Sequence, residues 1–246
     1  MQRIAIFASG NGSNAQRIIE YFQGHPKIQV TLVLCNNPDA FVIERASNMH
    51  IPSVIFTRHD LYHSNHLQDI LSVQGIDFLV LAGFLWLIPN YLLQAYPSRI
   101  INIHPALLPN YGGKGMYGKR VHEAVIQSND KESGISIHYV NEHYDDGQII
   151  FQAKCPIEPG DTPESLANKV HDLEYRHYPE IIEKVIEPSA DGASLMEACG
   201  LMEACGLIES LNLDPRPLNL EPKIPVSLKA QTSSAYRLPH LAGQRD

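Results

Sequence analysis

Arg3-Ile4-Ala5-Ile6-Phe7-Ala8 runs directly into Ser9-Gly10-Asn11-Gly12-Ser13-Asn14, and Ala15 to Tyr21 then reads as a helix. The first six residues form a short apolar run, which predicts a buried strand. Strand, glycine-rich turn and helix start together make an anion cradle, because glycines admit close backbone approach and a helix N-terminus offers free N–H groups. The turn matches neither GxGxxG nor GxxxxGK[ST], so no dinucleotide fingerprint or P-loop is present. A second reading stands beside the cradle: a tight βα turn in which Ser13 or Asn14 caps the helix.

The same unit recurs along the chain. Ile28 to Cys35 is a second strand, and Asn36-Asn37-Pro38-Asp39 turns into a helix over Ala40 to Met49. Ser53 to Phe56 is a short third strand, Leu61 to Val73 a helix, and Ile76 to Ala82 a strongly apolar fourth strand ended by Gly83. Alternation at this rhythm implies right-handed βαβ units and a parallel sheet. Further on, Val121 to Ser128 is helical. Gly134 to Val140 alternates, with Ile135, Ile137 and Tyr139 on one face and Ser136, His138 and Val140 on the other. Asn141 to Gly147 is a polar turn, and Gln148 to Cys155 returns as a strand. The expected fold is α/β: a doubly wound, mostly parallel half-Rossmann sheet with an antiparallel hairpin at one side. Asp161-Thr162-Pro163-Glu164 then caps a long helix towards Val185. Pro179 is expected to kink or divide it.

Composition narrows the function classes. The 246 residues are 44% hydrophobic and carry a net charge of −8 with a pI near 5.8, unlike a nucleic-acid-binding surface. No stretch of about eighteen apolar residues predicts a membrane span, so a cytoplasmic protein is expected. Cys35 and Cys155 fall in predicted strands and read as core thiols, and the four cysteines form no CxxC pair. From Pro188 onward the chain changes character. Leu-Met-Glu-Ala-Cys-Gly occurs twice in tandem, and prolines then punctuate an aperiodic segment. The expected division is a domain over 1–187 and a Pro-rich, poorly ordered appendage over 188–246.

The candidate chemistry lies at Asn102-Ile103-His104-Pro105, which ends the apolar run begun at Arg99-Ile100-Ile101. Pro105 stops the strand. Asn102 and His104 are two apart, so an extended chain projects both to one face. That places an amide and an imidazole at the carboxyl edge of the sheet, where open α/β folds bind ligands. An acid from the 141–147 turn completes the set. The amide can donate to a developing oxyanion, and the imidazole exchanges protons near neutral pH, with a nearby carboxylate favouring its charged form. No GxSxG or HExxH motif supplies a nucleophile or a metal site. The set suits direct acyl transfer to a substrate amine. The plainer reading is a strand-end Asn and His serving local backbone groups. Phe84 to Pro89 is likewise either core packing or the wall of a pocket for a flat ring.

Four stretches in this order carry a resemblance: Ser9 to Asn14, Leu81-Ala82-Gly83-Phe84, Asn102 to Pro109, and Gly134 to Gly147. Together, over residues 1 to about 187, they resemble the phosphoribosylglycinamide formyltransferases, folate-dependent enzymes of purine synthesis. The resemblance implies transfer of a formyl group from 10-formyltetrahydrofolate, as co-substrate, to the glycinamide amine. It implies that Gly12, Ser13 and Asn14 hold the ribose phosphate and that His171 and Glu174 reach the glycinamide. Asn102, His104 and Asp145 become catalytic, with Asp145 keeping His104 protonated. Leu85, Trp86, Leu87 and Ile88 on one side, and Asn141, Glu142, Tyr144 and Asp145 on the other, would enclose the pteridine. Trp86 stands where some relatives carry Arg, and Gly112 to Gly118 is a longer, glycine-rich loop read as a mobile lid. A related tRNA formyltransferase would need a nucleic-acid-binding tail, and a deformylase a domain before the first strand. The expectation is a monomer or weak homodimer acting on small molecules, without metal, membrane or nucleic acid.

Overall fold

Both faces of the first strand are apolar, and that decides the architecture. In the computed structural model, which describes residues Met1–Glu187, strand β1 (Gln2–Ala8) sends Ile4, Ile6 and Ala8 into one core and Ala5 and Phe7 into another. A strand buried on both sides needs helices above and below the sheet. The expectation for the 188–246 appendage lies outside the described residues.

The sheet has seven strands in the order β3-β2-β1-β4-β5-β6-β7. Strands β2 (Ile28–Cys35), β3 (Ser53–Ile55), β4 (Phe78–Leu81) and β5 (Ile100–His104) join β1 in parallel register. Strand β6 (Glu132–Tyr139) pairs antiparallel with β5, and β7 (Ile149–Pro156) pairs antiparallel with β6. The fold is thus a doubly wound, mostly parallel sheet with an antiparallel hairpin on one side. Its winding reverses between β1 and β4, the topological switch point at which such sheets form a crevice.

Helices α1 (Ser13–Phe22), α2 (Val42–Asn48), α6 (Lys119–Ser128) and α7 (Pro163–Ile186) cover one face. Helices α3 (Arg58–Tyr62), α4 (His66–Val73) and α5 (Asn90–Ala95) cover the other. The single helix expected over Leu61 to Val73 is two. A capping box starts α3, in which Asp60 N–H donates to Thr57 Oγ1 at 3.2 Å and Thr57 N–H to Asp60 Oδ2 at 2.7 Å. Ser64 Oγ then donates to the Asp60 carbonyl at 3.0 Å and accepts from His66 N–H at 3.3 Å, which diverts the chain between α3 and α4.

Pro179 does not divide α7, which runs 24 residues with that proline buried inside it. The proline costs one backbone bond, whereas Leu166, Val170, Tyr178, Ile181 and Ile182 bury a largely apolar face that Glu174 interrupts. At the helix start Thr162 and Ser165 exchange capping bonds, Ser165 N–H donating to Thr162 Oγ1 at 3.2 Å and Thr162 N–H to Ser165 Oγ at 2.9 Å. Tyr178 fixes the helix to the sheet, its buried hydroxyl meeting the carbonyls of Leu81 (2.9 Å) and Ile101 (3.3 Å). Cys35 and Cys155 are buried free thiols. Among the described residues no helix is long and apolar enough to cross a membrane.

A candidate active site at the carboxyl edge of the sheet

The carboxyl ends of β1, β4 and β5 open into one cavity of about 590 Å³. The turn after β1 contributes Ser9 to Asn14, the segment after β4 contributes Ala82 to Leu85, and β5 contributes Asn102 to Pro105. Loops 113–118 and 144–145, and His171 and Glu174 of α7, close the remaining sides.

At one end lies the glycine-rich turn. Gly12 is the N-cap residue of α1, with φ 77°, a left-handed conformation that favours glycine, and a Cβ there would run into Val42. No side chain caps the helix, so the capping alternative for Ser13 or Asn14 does not hold. Gly12, Ser13 and Asn14 line the cavity, and no cap side chain accepts from the first-turn N–H groups. Asn14 is turned elsewhere: its Nδ2 donates to Glu174 Oε2 at 2.9 Å, while its Oδ1 is buried without a partner. Glu174 is only 5% exposed, and burial pushes its carboxyl up to about 7 although the bond from Asn14 opposes this. His171, one turn earlier on α7, stacks on Tyr175 at 5.9 Å, and burial lowers its pKa.

The centre of the cavity holds a network organised on Asp145. Asn102 Nδ2 meets His138 Nε2 at 3.1 Å and donates to Asp145 Oδ1 at 3.4 Å. Gly113 N–H donates to Asp145 Oδ2 at 3.0 Å, and His104 Nδ1 lies 3.5 Å from that same oxygen. His104 Nε2 donates to the Tyr111 carbonyl at 2.8 Å. The three residues read from sequence are thus brought together. Asp145 reaches its place through a left-handed backbone (φ 53°), uncommon outside glycine and costly unless its surroundings hold it.

Electrostatics correct one expectation. Asp145 was to keep His104 protonated, yet the imidazole lies below its ordinary pKa. Burial is the largest cause, His104 being 3% exposed, and it outweighs the Asp145 carboxylate and the Tyr111 carbonyl. Burial alone would raise Asp145; the adjacent His138 and His104 and the Gly113 N–H hold it low instead.

Two histidines escaped the sequence reading. His138 faces Asn102 across the β5–β6 pair, and its Nδ1 meets the Tyr139 carbonyl at 2.8 Å, which leaves Nε2 to accept from Asn102. The alternation of Gly134 to Val140 was the available signal. His122, on α6, lines the cavity at 3% exposure with its Nδ1 unpartnered, and burial drives its pKa down to about 4.

Another part of the wall carries Phe84, Tyr117 and Tyr144. Leu85 and Tyr144 open on the cavity, whereas Trp86, Leu87 and Ile88 do not. Ile88 is buried in the core with Leu92, the Leu87 carbonyl accepts from Tyr62, and Trp86 packs edge-on to Phe56 and Phe84. Arg58 lies 4.8 Å over the Trp86 ring and reaches the cavity. Asn141 and Glu142 stand outside the lining; Asn141 Oδ1 instead accepts from His143 N–H at 2.9 Å. Among the described residues no cluster of three or more His, Cys, Asp or Glu side chains is arranged to hold a metal.

Comparison with known proteins identifies the family. The formyl transferase family model matches residues 2–182. The chloroplastic phosphoribosylglycinamide formyltransferase of Arabidopsis thaliana is 41% identical over 206 residues, covering 80% of this chain and 70% of that protein. The phosphoribosylglycinamide formyltransferase of Bacillus subtilis is 37% identical over 191 residues, covering 76% and 95%. The crystal structure of the Bacillus halodurans enzyme of the same name superposes with a TM-score of 0.68 at 38% identity, covering 76% of this chain and 96% of that one. The chain belongs to the formyl transferase family, among its phosphoribosylglycinamide formyltransferases.

Proposed function

We propose that the protein transfers the formyl group of 10-formyltetrahydrofolate to the amine of 5'-phosphoribosylglycinamide, and that residues 1–187 hold the whole catalytic unit. One observation carries the reading. A single cavity joins an uncapped helix N-terminus, an Asn/His/Asp network and a wall that includes Phe84, Leu85 and Tyr144. The phosphate of the acceptor fits the turn at Gly12, Ser13 and Asn14, where first-turn N–H groups and the helix dipole favour an anion. His171 and Glu174 face the ribose and glycinamide, and Leu85, Tyr144 and Arg58 face the folate.

Attack of the amine on the formyl carbon places a negative charge on oxygen and an ammonium on nitrogen. The Asn102 N–H aimed at Asp145 makes the longest bond of the network, so it is the donor most readily turned to that oxygen. His104 starts neutral. Its Nδ1 takes up the proton that the ammonium releases, and the imidazolium so formed has an acceptor at each nitrogen, Asp145 and the Tyr111 carbonyl. Proton uptake is thus coupled to the intermediate rather than completed beforehand. Collapse of the intermediate expels the folate nitrogen, which recovers the proton.

The deciding experiment follows the absorbance change as the folate loses its formyl group, with and without phosphoribosylglycinamide. Loss that requires the acceptor and disappears in His104→Ala supports the transferase. Loss without acceptor would make the protein a hydrolase of the same donor.

A further inference from the structure

The phosphate turn is held in place from outside the cavity by a side chain that does not line it. Arg45, on α2, donates from Nε to the Asn11 carbonyl at 2.9 Å and from Nη2 to Asn11 Oδ1 at 3.0 Å, gripping one residue twice. Its Nη1 reaches Gln16 Oε1 on α1, so one guanidinium joins the turn to the helix that follows it. The guanidinium also lies 4.7 Å over the Phe41 ring, which limits its rotation. The same short helix makes two further contacts with the turn: Val42 N–H donates to the Gly10 carbonyl at 3.2 Å, and Val42 fills the space that a Cβ on Gly12 would need.

We infer that Arg45 is a positioning residue that fixes the Gly10–Gly12 backbone so that its N–H groups converge on a phosphate monoester. The inference rests on the phosphate reading of the turn proposed above. Its physical basis is preorganisation. Backbone donors bind an anion well when no ordering remains to be done on binding, and a turn with two glycines has much freedom to lose. The planar fork of arginine holds the two Asn11 oxygens in one fixed geometry, which the freely rotating ammonium of lysine does not impose. Arg45 therefore acts through shape more than through charge.

The test compares phosphoribosylglycinamide with its dephosphorylated riboside as formyl acceptors, in the full chain and in Arg45→Ala and Arg45→Lys. Wild-type protein should prefer the phosphorylated acceptor strongly. In Arg45→Ala the KM for that acceptor should rise about tenfold or more, kcat should stay within about twofold, and turnover of the riboside should be unaltered. The Ki of inorganic phosphate should rise in parallel, and Arg45→Lys should behave like Arg45→Ala. Gln16→Ala, which removes one of the three contacts, should show the same pattern more weakly and covers the case in which Arg45→Ala fails to fold. An unchanged KM in Arg45→Ala overturns the inference, and full rescue by lysine overturns it in favour of simple charge attraction. Wild-type protein that uses both acceptors equally overturns the phosphate reading itself, and the inference with it.

Discussion

Asn14, in the first turn of α1, and Glu174, near the middle of α7, are joined by a 2.9 Å hydrogen bond across 160 residues of sequence. The carboxyl they share with the cavity is raised to about 7 by burial. A raised carboxyl binds its proton more tightly in the folded state than in the unfolded one. Stability therefore falls as pH rises from the ordinary carboxylate value of 4.5 through 7. Glu174→Gln keeps an acceptor for Asn14 and has no proton to lose. Urea unfolding should show variant and wild type alike near pH 4.5 and the variant more stable at pH 8; equal midpoints at both pH values would refute this.

His104→Ala should lower kcat about 10²- to 10⁴-fold, the usual range for a lost acid–base group, while the Ki of inorganic phosphate stays unchanged. Asp145→Asn should fall in the same range, since it removes the carboxylate beside His104 Nδ1. Steady-state kinetics with phosphate as inhibitor separates this outcome from general damage, which would weaken phosphate binding too.

Because His104 lies below the ordinary imidazole value, its neutral form persists to lower pH than for a free histidine. The pH profile of kcat/KM should therefore hold its activity through neutrality and lose it only on acidification below about 6.5, the ordinary histidine value. A limb above 7 that disappears in His104→Gln would show the ring charged at the start of the reaction instead.

Tyr178→Phe should cost about 1–3 kcal/mol, because two buried strand carbonyls lose their shared donor. The measurement is the denaturant midpoint. A change under about 0.5 kcal/mol would mean that those carbonyls find other partners.

Gly134→Ala should be harsher, above about 2 kcal/mol, because a Cβ would enter the Ala153 carbonyl on the paired strand and meet Leu107. Low yield of folded protein would agree, and a thermal midpoint within 2 °C or so of wild type would not.

The sheet was legible because its strands carry their own punctuation. Ile4 to Ala8 is apolar at every position, and a Gly or Pro just after β1, β4 and β5 marks where each of these stops. Asn102 and His104 could be placed on one face because the period of a strand is two. His138 could not be assigned a partner, since its bond to Asn102 depends on the antiparallel register of β5 and β6, which alternation alone does not contain. The ionisation of His104 was misread for a related reason: a neighbouring carboxylate can be inferred from motif order, but the burial that outweighs it follows from the packed fold. Trp86 to Ile88 show the same limit. An apolar stretch at a strand end reads alike whether it lines a cavity or, as Ile88 does, packs into the core.

The Asn14–Glu174 contact also constrains how the molecule is made. The glycine-rich turn after β1 leaves the ribosome early, whereas the wall that completes the cavity belongs to α7, the final described helix. A nascent chain halted before Pro163 would display the first five strands' edge with one side of the cavity missing and Asn14 without its acceptor. No fragment that ends before Pro163 can therefore acquire a finished pocket, and the cavity is complete only once α7 has emerged.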